Sequence, residues 1–131
     1  MAHAIQPSDP AELVLRPDVS EVSEARRFVV DAIGTDDQRP RQDAALLTSE
    51  LVTNAVAHAS TPVKVEVKVK RTPDRARVEV YDGSRDAPTY KPLTLDRENG
   101  RGLAIVDAIA DAWGVAPVDD HGKVVWFELG L

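Results

Sequence analysis

The chain has 131 residues, which fits one domain, and its 43% hydrophobic and 29% charged residues are ordinary for a globular protein. No apolar run approaches the length of a membrane span, and the N-terminus lacks a signal-peptide pattern. The absence of cysteine excludes disulfides, thiolate metal sites and a cysteine nucleophile. The net charge of −6 argues against a sequence-independent nucleic-acid binder. We therefore expect a cytoplasmic protein that contacts neither nucleic acid nor membrane directly.

The start of the chain predicts a leader followed by an edge strand. Residues 1–11 contain two prolines and no periodic pattern, so they read as a flexible leader, and the domain is expected to span 12–131. The apolar run Leu13–Leu15 then predicts a short strand over 12–16. Because an edge strand has unpaired backbone groups, this run is one possible contact in a homodimer.

A first helix is expected to follow this strand. The sequence Asp18-Val19-Ser20-Glu21 has a capping-box pattern, which predicts a helix start. Apolar residues then recur at helical spacing as far as Ile33, and Gly34 is expected to end the helix. Residues 35–43 are polar and contain Pro40, so they predict a loop or a first helical turn.

The most informative stretch is the predicted helix over 46–59, which contains neither glycine nor proline. Apolar residues recur every four positions along it: Leu47, Leu51, Ala55. Polar residues recur at the same interval: Glu50, Asn54, His58. Since a helix turns about 100° per residue, the polar series lies on one face beside the apolar stripe. Either this face is a solvated flank, or it is a site where Glu50 handles a proton or water and Asn54 holds a metal or ligand.

After this helix the hydrophobic period changes from about 3.6 to 2, which predicts strands. Residues 63–70 alternate valine with charged residues, and residues 76–82 alternate in the same way after a turn at 71–75, so the two strands form a hairpin. Asp82 shares the parity of the inward-facing Ala76, Val78 and Val80. It is therefore either a carboxylate on the covered face, which needs donors, or only a cap for the turn beyond an earlier strand end.

Residues 83–101 carry little periodicity, and a loop of this length in a small domain is either a lid or a surface excursion. Gly100 and Gly102 then open a helix that ends near Asp111, and glycines at a helix start permit a phosphate to approach the free N–H groups. Residues 113–115 and 124–129 predict two closing strands. Trp113 and Trp126 are expected in the core or on the sheet, and His121 in a solvated turn. The order β-α-α-β-β-lid-α-β-β predicts an α+β fold.

Three motifs, taken together, resemble a known family. They are Glu50-x-x-x-Asn54-x-x-x-His58, then Asp82-Gly83-Ser84, then Gly100-Arg101-Gly102-Leu103. In type and order these are similar to the motifs of the GHKL ATP-binding superfamily, and the resemblance extends from about residue 12 to the C-terminus. It implies the Bergerat fold: a two-layer α+β sandwich with a mostly antiparallel mixed sheet, about three helices on one face and an ATP lid. The chain looks most like the stand-alone branch that includes anti-sigma-factor serine/threonine kinases.

The resemblance also implies roles for individual residues. Glu50 would be the general base, and Asn54 would give its amide oxygen to Mg²⁺. Asp82 would accept a hydrogen bond from the adenine amino group, His58 would pack near the site, and Arg85 and Arg97 would be lid residues near the γ-phosphate. The implied nucleotide-binding set is Asn54, Asp82, Ser84, Gly100, Arg101, Gly102 and Leu103.

Two positions depart from the family pattern. The first glycine box, commonly Asp-x-Gly-x-Gly, is here Asp82-Gly83-Ser84-Arg85-Asp86. Many members also carry a threonine or serine on a closing strand, where this chain has Val124 or Val125, and the loss of one such hydrogen bond costs about 1 kcal/mol.

The resemblance leads to a leading function and two alternatives. The leading one is an ATP- and Mg²⁺-dependent serine/threonine kinase that binds a sigma factor and phosphorylates a small antagonist protein. The second is a non-catalytic module in which ATP sets the lid shape and the choice of partner. The third is a slow ATPase whose lid closure drives dimerisation.

Overall fold

The computed structural model describes residues 10–57, 64–82, 100–118 and 122–131. Within these ranges the chain forms five strands, three α-helices and a short 3-10 helix at Val19–Glu21. The strands are β1 (Ala11–Leu15), β2 (Val65–Thr72), β3 (Arg75–Asp82), β4 (Ala112–Pro117) and β5 (Lys123–Gly130). The helices are α1 (Val22–Ile33), α2 (Gln38–Ala57) and α3 (Gly100–Ile109). The α+β prediction is confirmed, although β1 begins one residue inside the predicted leader.

The described strands form one sheet in the order β1-β2-β3-β5-β4, and every neighbouring pair is antiparallel. Strands β3 and β4 therefore run in the same direction with β5 between them, and α3 makes the crossover that joins them. The helices cover one face of this sheet, as the alternation of valines with charged residues predicts. The C-terminal end of β3 and the N-terminal end of β5 lie side by side beneath the helical layer.

The termini of α1 follow the predicted signals. Asp18 precedes the 3-10 helix, and its Oδ1 accepts a hydrogen bond from the Ser20 backbone N–H at 2.9 Å. Gly34 has a φ of 65°, in the left-handed region that glycine adopts without steric cost, and its N–H bonds to the Val30 carbonyl at 3.2 Å. Asp18 therefore caps the 3-10 helix that leads into α1, whose own N-cap residue, Glu21, makes no side-chain cap bond within the described residues, and Gly34 ends α1 as predicted.

Helix α2 begins at Gln38, so the stretch 35–43 contains the first helical turn, which is one of the two predicted alternatives, and not only a loop. Asp37 precedes the helix and accepts from the Arg39 backbone N–H at 3.3 Å, so it caps the first turn. Pro40 is the third helical residue, where the missing N–H would have had no intrahelical partner. The proline is therefore compatible with the helix and extends its buried side.

The core lies between the helical layer and the inner face of the sheet. The predicted stripe of α2 is buried, with Leu47 and Leu51 at 0% and 2% exposure. It packs with valines of β2 and β3 and with Phe127 of β5, which is also fully buried. One polar atom interrupts this core: in the described part of the chain, the Thr48 hydroxyl is buried without a hydrogen-bond partner.

The outer face of the sheet carries a charged network centred on Glu79, which is only 5% exposed. Glu79 accepts from Arg77 Nε at 2.8 Å and from the Tyr81 hydroxyl at 2.9 Å, and Arg77 also pairs with Glu128 at 3.0 Å. Burial raises the pKa of Glu79, but the hydrogen bonds from Arg77 and Tyr81 outweigh it and leave the pKa below its usual value. Burial and the bond to Glu79 raise the pKa of Tyr81 to about 12.

Trp126 extends this network towards the β4 edge. The Arg77 guanidinium lies 4.0 Å from the centre of its ring, which gives a cation–π contact. The indole covers Gly114, where an added Cβ would meet Trp126 Cζ2 at 2.8 Å. Trp113 instead packs at the rim of the core, and its Nε1 donates to Asp107 at 2.9 Å. Both tryptophans therefore lie where the sequence analysis expects them, in the core or on the sheet.

Candidate nucleotide-binding site

Helix α2 places Glu50 and Asn54 one turn apart on the same side, next to the buried stripe. Both side chains are half-buried, which agrees with a polar flank that borders the core. Within the described ranges, no hydrogen bond or ion pair joins either side chain to another residue. A carboxylate and an amide oxygen are thus presented together along the edge of the helical layer.

Asp82 ends β3 on the covered face, in line with the buried Ala76, Val78 and Val80. Its side chain is 3% exposed, so it is not merely a solvated cap on the following turn. The Lys123 ammonium donates to Asp82 Oδ2 at 3.0 Å, which supplies a countercharge to this buried carboxylate. Without such a partner, burying the charge would be costly.

Lys123, which contacts Asp82, is a residue of the candidate site that the sequence pattern alone did not identify. It lies directly opposite Asp82 in the β3–β5 register, whereas Val124 lies opposite Tyr81 and Val125 opposite Val80. Neither valine therefore lies directly opposite Asp82, and neither carries a hydroxyl. The alternation of β5 indicates that Lys123 lies on the covered face, because it has the parity of the inward-facing Val125, Phe127 and Leu129.

The third part of the predicted site is the start of α3 at Gly100. The first N–H groups of a helix have no intrahelical partner, and together with the helix dipole they favour an anion. Helix α3 packs against α2 and β4, so it belongs to the same layer as Glu50 and Asn54. The side-chain placement of Arg101 and Leu103 lies outside the described residues.

Several predicted positions also fall outside the described ranges: the lid over 83–99, with Ser84, Arg85 and Arg97, and the histidines His3, His58 and His121. The described part of the candidate site thus consists of two pieces: α2 with Glu50 and Asn54, and the paired ends of β3 and β5 with Asp82 and Lys123. Helix α2 packs on both β3 and β5, which puts these parts in one packed unit.

The donor set is compatible with a magnesium nucleotide rather than with a metal held by the protein alone. In the described ranges, no three histidine or acidic side chains group closely enough to hold a metal ion. Mg²⁺ commonly takes only one or two protein oxygens and completes its shell with water and substrate phosphates. The amide oxygen of Asn54 and the carboxylate of Glu50 are hard oxygen donors of that kind.

These features define an α+β domain of the GHKL type, with helices over one face of an antiparallel sheet and a buried carboxylate at a strand end. The family model of the histidine kinase-like ATPase domain matches residues 15–129, and the chain belongs to this family. Membership supports ATP binding and a kinase-like regulatory function. No curated protein matches the chain. Among the described helices, none combines the length and hydropathy needed to cross a bilayer.

Proposed function

We propose that this protein binds Mg²⁺-ATP and acts as a serine/threonine protein kinase of the anti-sigma-factor type, with a sigma factor and a small antagonist protein as its partners. The observation that carries the proposal is the placement of Glu50 and Asn54 one helical turn apart on α2, half-buried and without partners in the described ranges. A carboxylate and an amide that lie together at the rim of the core can both hydrogen-bond to a ligand there. The presence of Glu50 at the position of the general base favours a kinase over a module that only binds ATP.

In this proposal each side chain has one task. The Glu50 carboxylate takes the proton from a serine hydroxyl of the antagonist, whose oxygen forms the new bond to the γ-phosphorus while ADP leaves. Asn54 supplies an oxygen ligand on the phosphate side, and Asp82 accepts from the base. Mg²⁺ neutralises charge on the phosphates when it is bound with the nucleotide. The N–H groups at the start of α3 bind phosphate oxygens.

Calorimetric titration tests nucleotide binding first. We expect the wild type to bind ATP with a dissociation constant on the order of micromolar in the presence of Mg²⁺. Asn54→Ala should weaken this binding about tenfold and reduce its dependence on Mg²⁺. Gln42→Ala, which changes an exposed amide on the same helix, is the matched control. Absence of binding up to millimolar ATP would refute the proposal.

Phosphotransfer tests the kinase reaction separately. The assay follows labelled γ-phosphate from ATP to candidate antagonist proteins. Glu50→Gln should lower transfer by about 100-fold or more, because it removes the general base, while ATP binding is retained. Glu24→Gln, at an exposed position of α1, should transfer normally.

The same Glu50→Gln protein separates the kinase from the non-catalytic module suggested by the altered glycine box. A kinase loses its effect on the partner with this substitution, whereas a module that only binds ATP keeps it. If the variant still regulates its partner, the kinase assignment is wrong and the module is favoured. A slow ATPase would instead release phosphate without an acceptor and form dimers with ATP.

A further inference from the structure

The pairing of Lys123 with Asp82 is unusual for the covered face of this sheet. Among the inward-facing residues of β5, Lys123 is the charged one, and Val125, Phe127 and Leu129 continue the row. The Lys123 Nζ lies 3.0 Å from Asp82 Oδ2. On the other side of Asp82 the register places Val65, which is fully buried. A charged pair is therefore held at the end of an otherwise apolar row.

Stability alone does not account for this pair. Replacing a buried ion pair with apolar residues of similar volume is often neutral or stabilising, because desolvation offsets the attraction between the charges. The side chains differ in exposure, with 3% for Asp82 and 28% for Lys123. The carboxylate is thus enclosed, while the ammonium still reaches the boundary of the core.

Lys123 can donate beyond its contact with Asp82. An ammonium has three donors, and the bond to Asp82 Oδ2 uses one of them. In the proposed function, Asp82 accepts from the base. Lys123 therefore places a donor about one hydrogen-bond length from that acceptor, at the same end of β3 and β5.

The edge of adenine has the complementary pattern, since its exocyclic amino group is a donor and the adjacent ring nitrogen N1 is an acceptor. We propose that Lys123 donates to N1 of the adenine ring while Asp82 accepts from the amino group. The inference rests on the proposed nucleotide binding and adds a residue that determines base specificity. Lys123 thus replaces the hydroxyl that neither Val124 nor Val125 can provide.

The test compares ATP with 1-deaza-ATP, which keeps the amino group but has a C–H in place of N1. Calorimetry measures both ligands with the wild type, Lys123→Met and Lys70→Met. Lys70 also pairs with a carboxylate, that of Glu79 at 3.6 Å, but on the opposite face of the sheet, so it is a matched control. We expect the wild type and Lys70→Met to bind 1-deaza-ATP about tenfold more weakly than ATP. Lys123→Met should bind ATP more weakly than the wild type does. It should also bind ATP and 1-deaza-ATP equally.

Lys123→Met leaves the buried Asp82 without this countercharge, so a second comparison covers the case in which the variant does not fold. Asp82→Asn keeps an acceptor oxygen and Lys123, and Asp82→Asn with Lys123→Met removes both charges. Asp82→Asn should bind 1-deaza-ATP more weakly than ATP, whereas the double variant should bind the two ligands equally.

The outcomes separate this inference from the proposed function. A wild type that binds neither ligand refutes nucleotide binding itself. If the wild type binds both ligands equally, or if Lys123→Met keeps the tenfold preference, nucleotide binding stands and the role of Lys123 is refuted. Tighter binding of ATP by Lys123→Met would also refute it, because the lysine would then compete with the base for Asp82.

Discussion

Thr48→Val should stabilise the protein. Thr48 is fully buried in α2, and within the described part of the chain its hydroxyl has no hydrogen-bond partner. A buried polar group without a partner costs about 1–3 kcal/mol. Valine has nearly the same shape, and its helix propensity is close to that of threonine. We therefore expect the free energy of unfolding to rise by about 1–2 kcal/mol, with the methyl group adding to the apolar contacts of the core.

Urea denaturation followed by far-UV circular dichroism measures this change. The midpoint should rise with an unchanged m-value, and the melting temperature should increase by about 3–8 °C for a chain of this length. The control is Thr53→Val, an exposed position on the same helix, where the change should stay within about 0.5 kcal/mol. A loss of stability in Thr48→Val would contradict the reasoning, because it would mean that the hydroxyl is satisfied, for example by a buried water.

The outer face of the sheet supplies three further predictions. Glu79→Gln should lower the pKa of Tyr81 from about 12 towards its ordinary value, as measured by ultraviolet titration of tyrosinate; an unchanged pKa would count against the contact. Because the folded pKa of Glu79 is depressed, its stabilising contribution is present above the unfolded pKa and is lost as the pH falls through the folded pKa. In Glu79→Gln the free energy of unfolding should therefore fall less steeply as the pH decreases between the unfolded and the folded pKa of Glu79. An unchanged pH dependence would refute this. Gly114→Ala should displace the indole of Trp126 and destabilise the protein by about 1–3 kcal/mol, which tryptophan fluorescence during denaturation can follow. In a Trp126→Ala background the cost of the alanine should nearly vanish.

Much of the fold could be predicted because burial imposes a regular period on the sequence. The stripe of α2 and the alternation in β2 and β3 both identify the covered face, and these residues are buried in the structure. The polar stretch 35–43, which contains Pro40, is compatible with a loop or with a first helical turn, and the structure shows that α2 begins within it at Gln38. In the first turn the proline removes no hydrogen bond, and the Asp37 cap was the signal that marked the true start.

The site was only partly predictable. Asp82 could be found because its parity places a carboxylate on the covered face, and this burial is confirmed. Lys123 could not be identified as its partner without the register between β3 and β5, which is a long-range pairing that no local pattern determines. The hydrogen bond between Arg77 and Glu128 on the outer face depends on the same register. The roles of Glu50 and Asn54 remain predictions.

The charged network on the outer face also has a consequence for how the sheet assembles. A slip of one residue between β3 and β5 would turn every side chain of one strand to the opposite face. Trp126 and Glu128 would then enter the core, Phe127 would face water, and the contacts of Arg77 would be lost. This slip would therefore be unfavourable on both faces of the sheet. On the inner face it would expose apolar side chains, and on the outer face it would break charge pairs. Strands β3 and β5 therefore have a single favourable alignment, so misaligned pairings of these two strands should not accumulate while the chain folds.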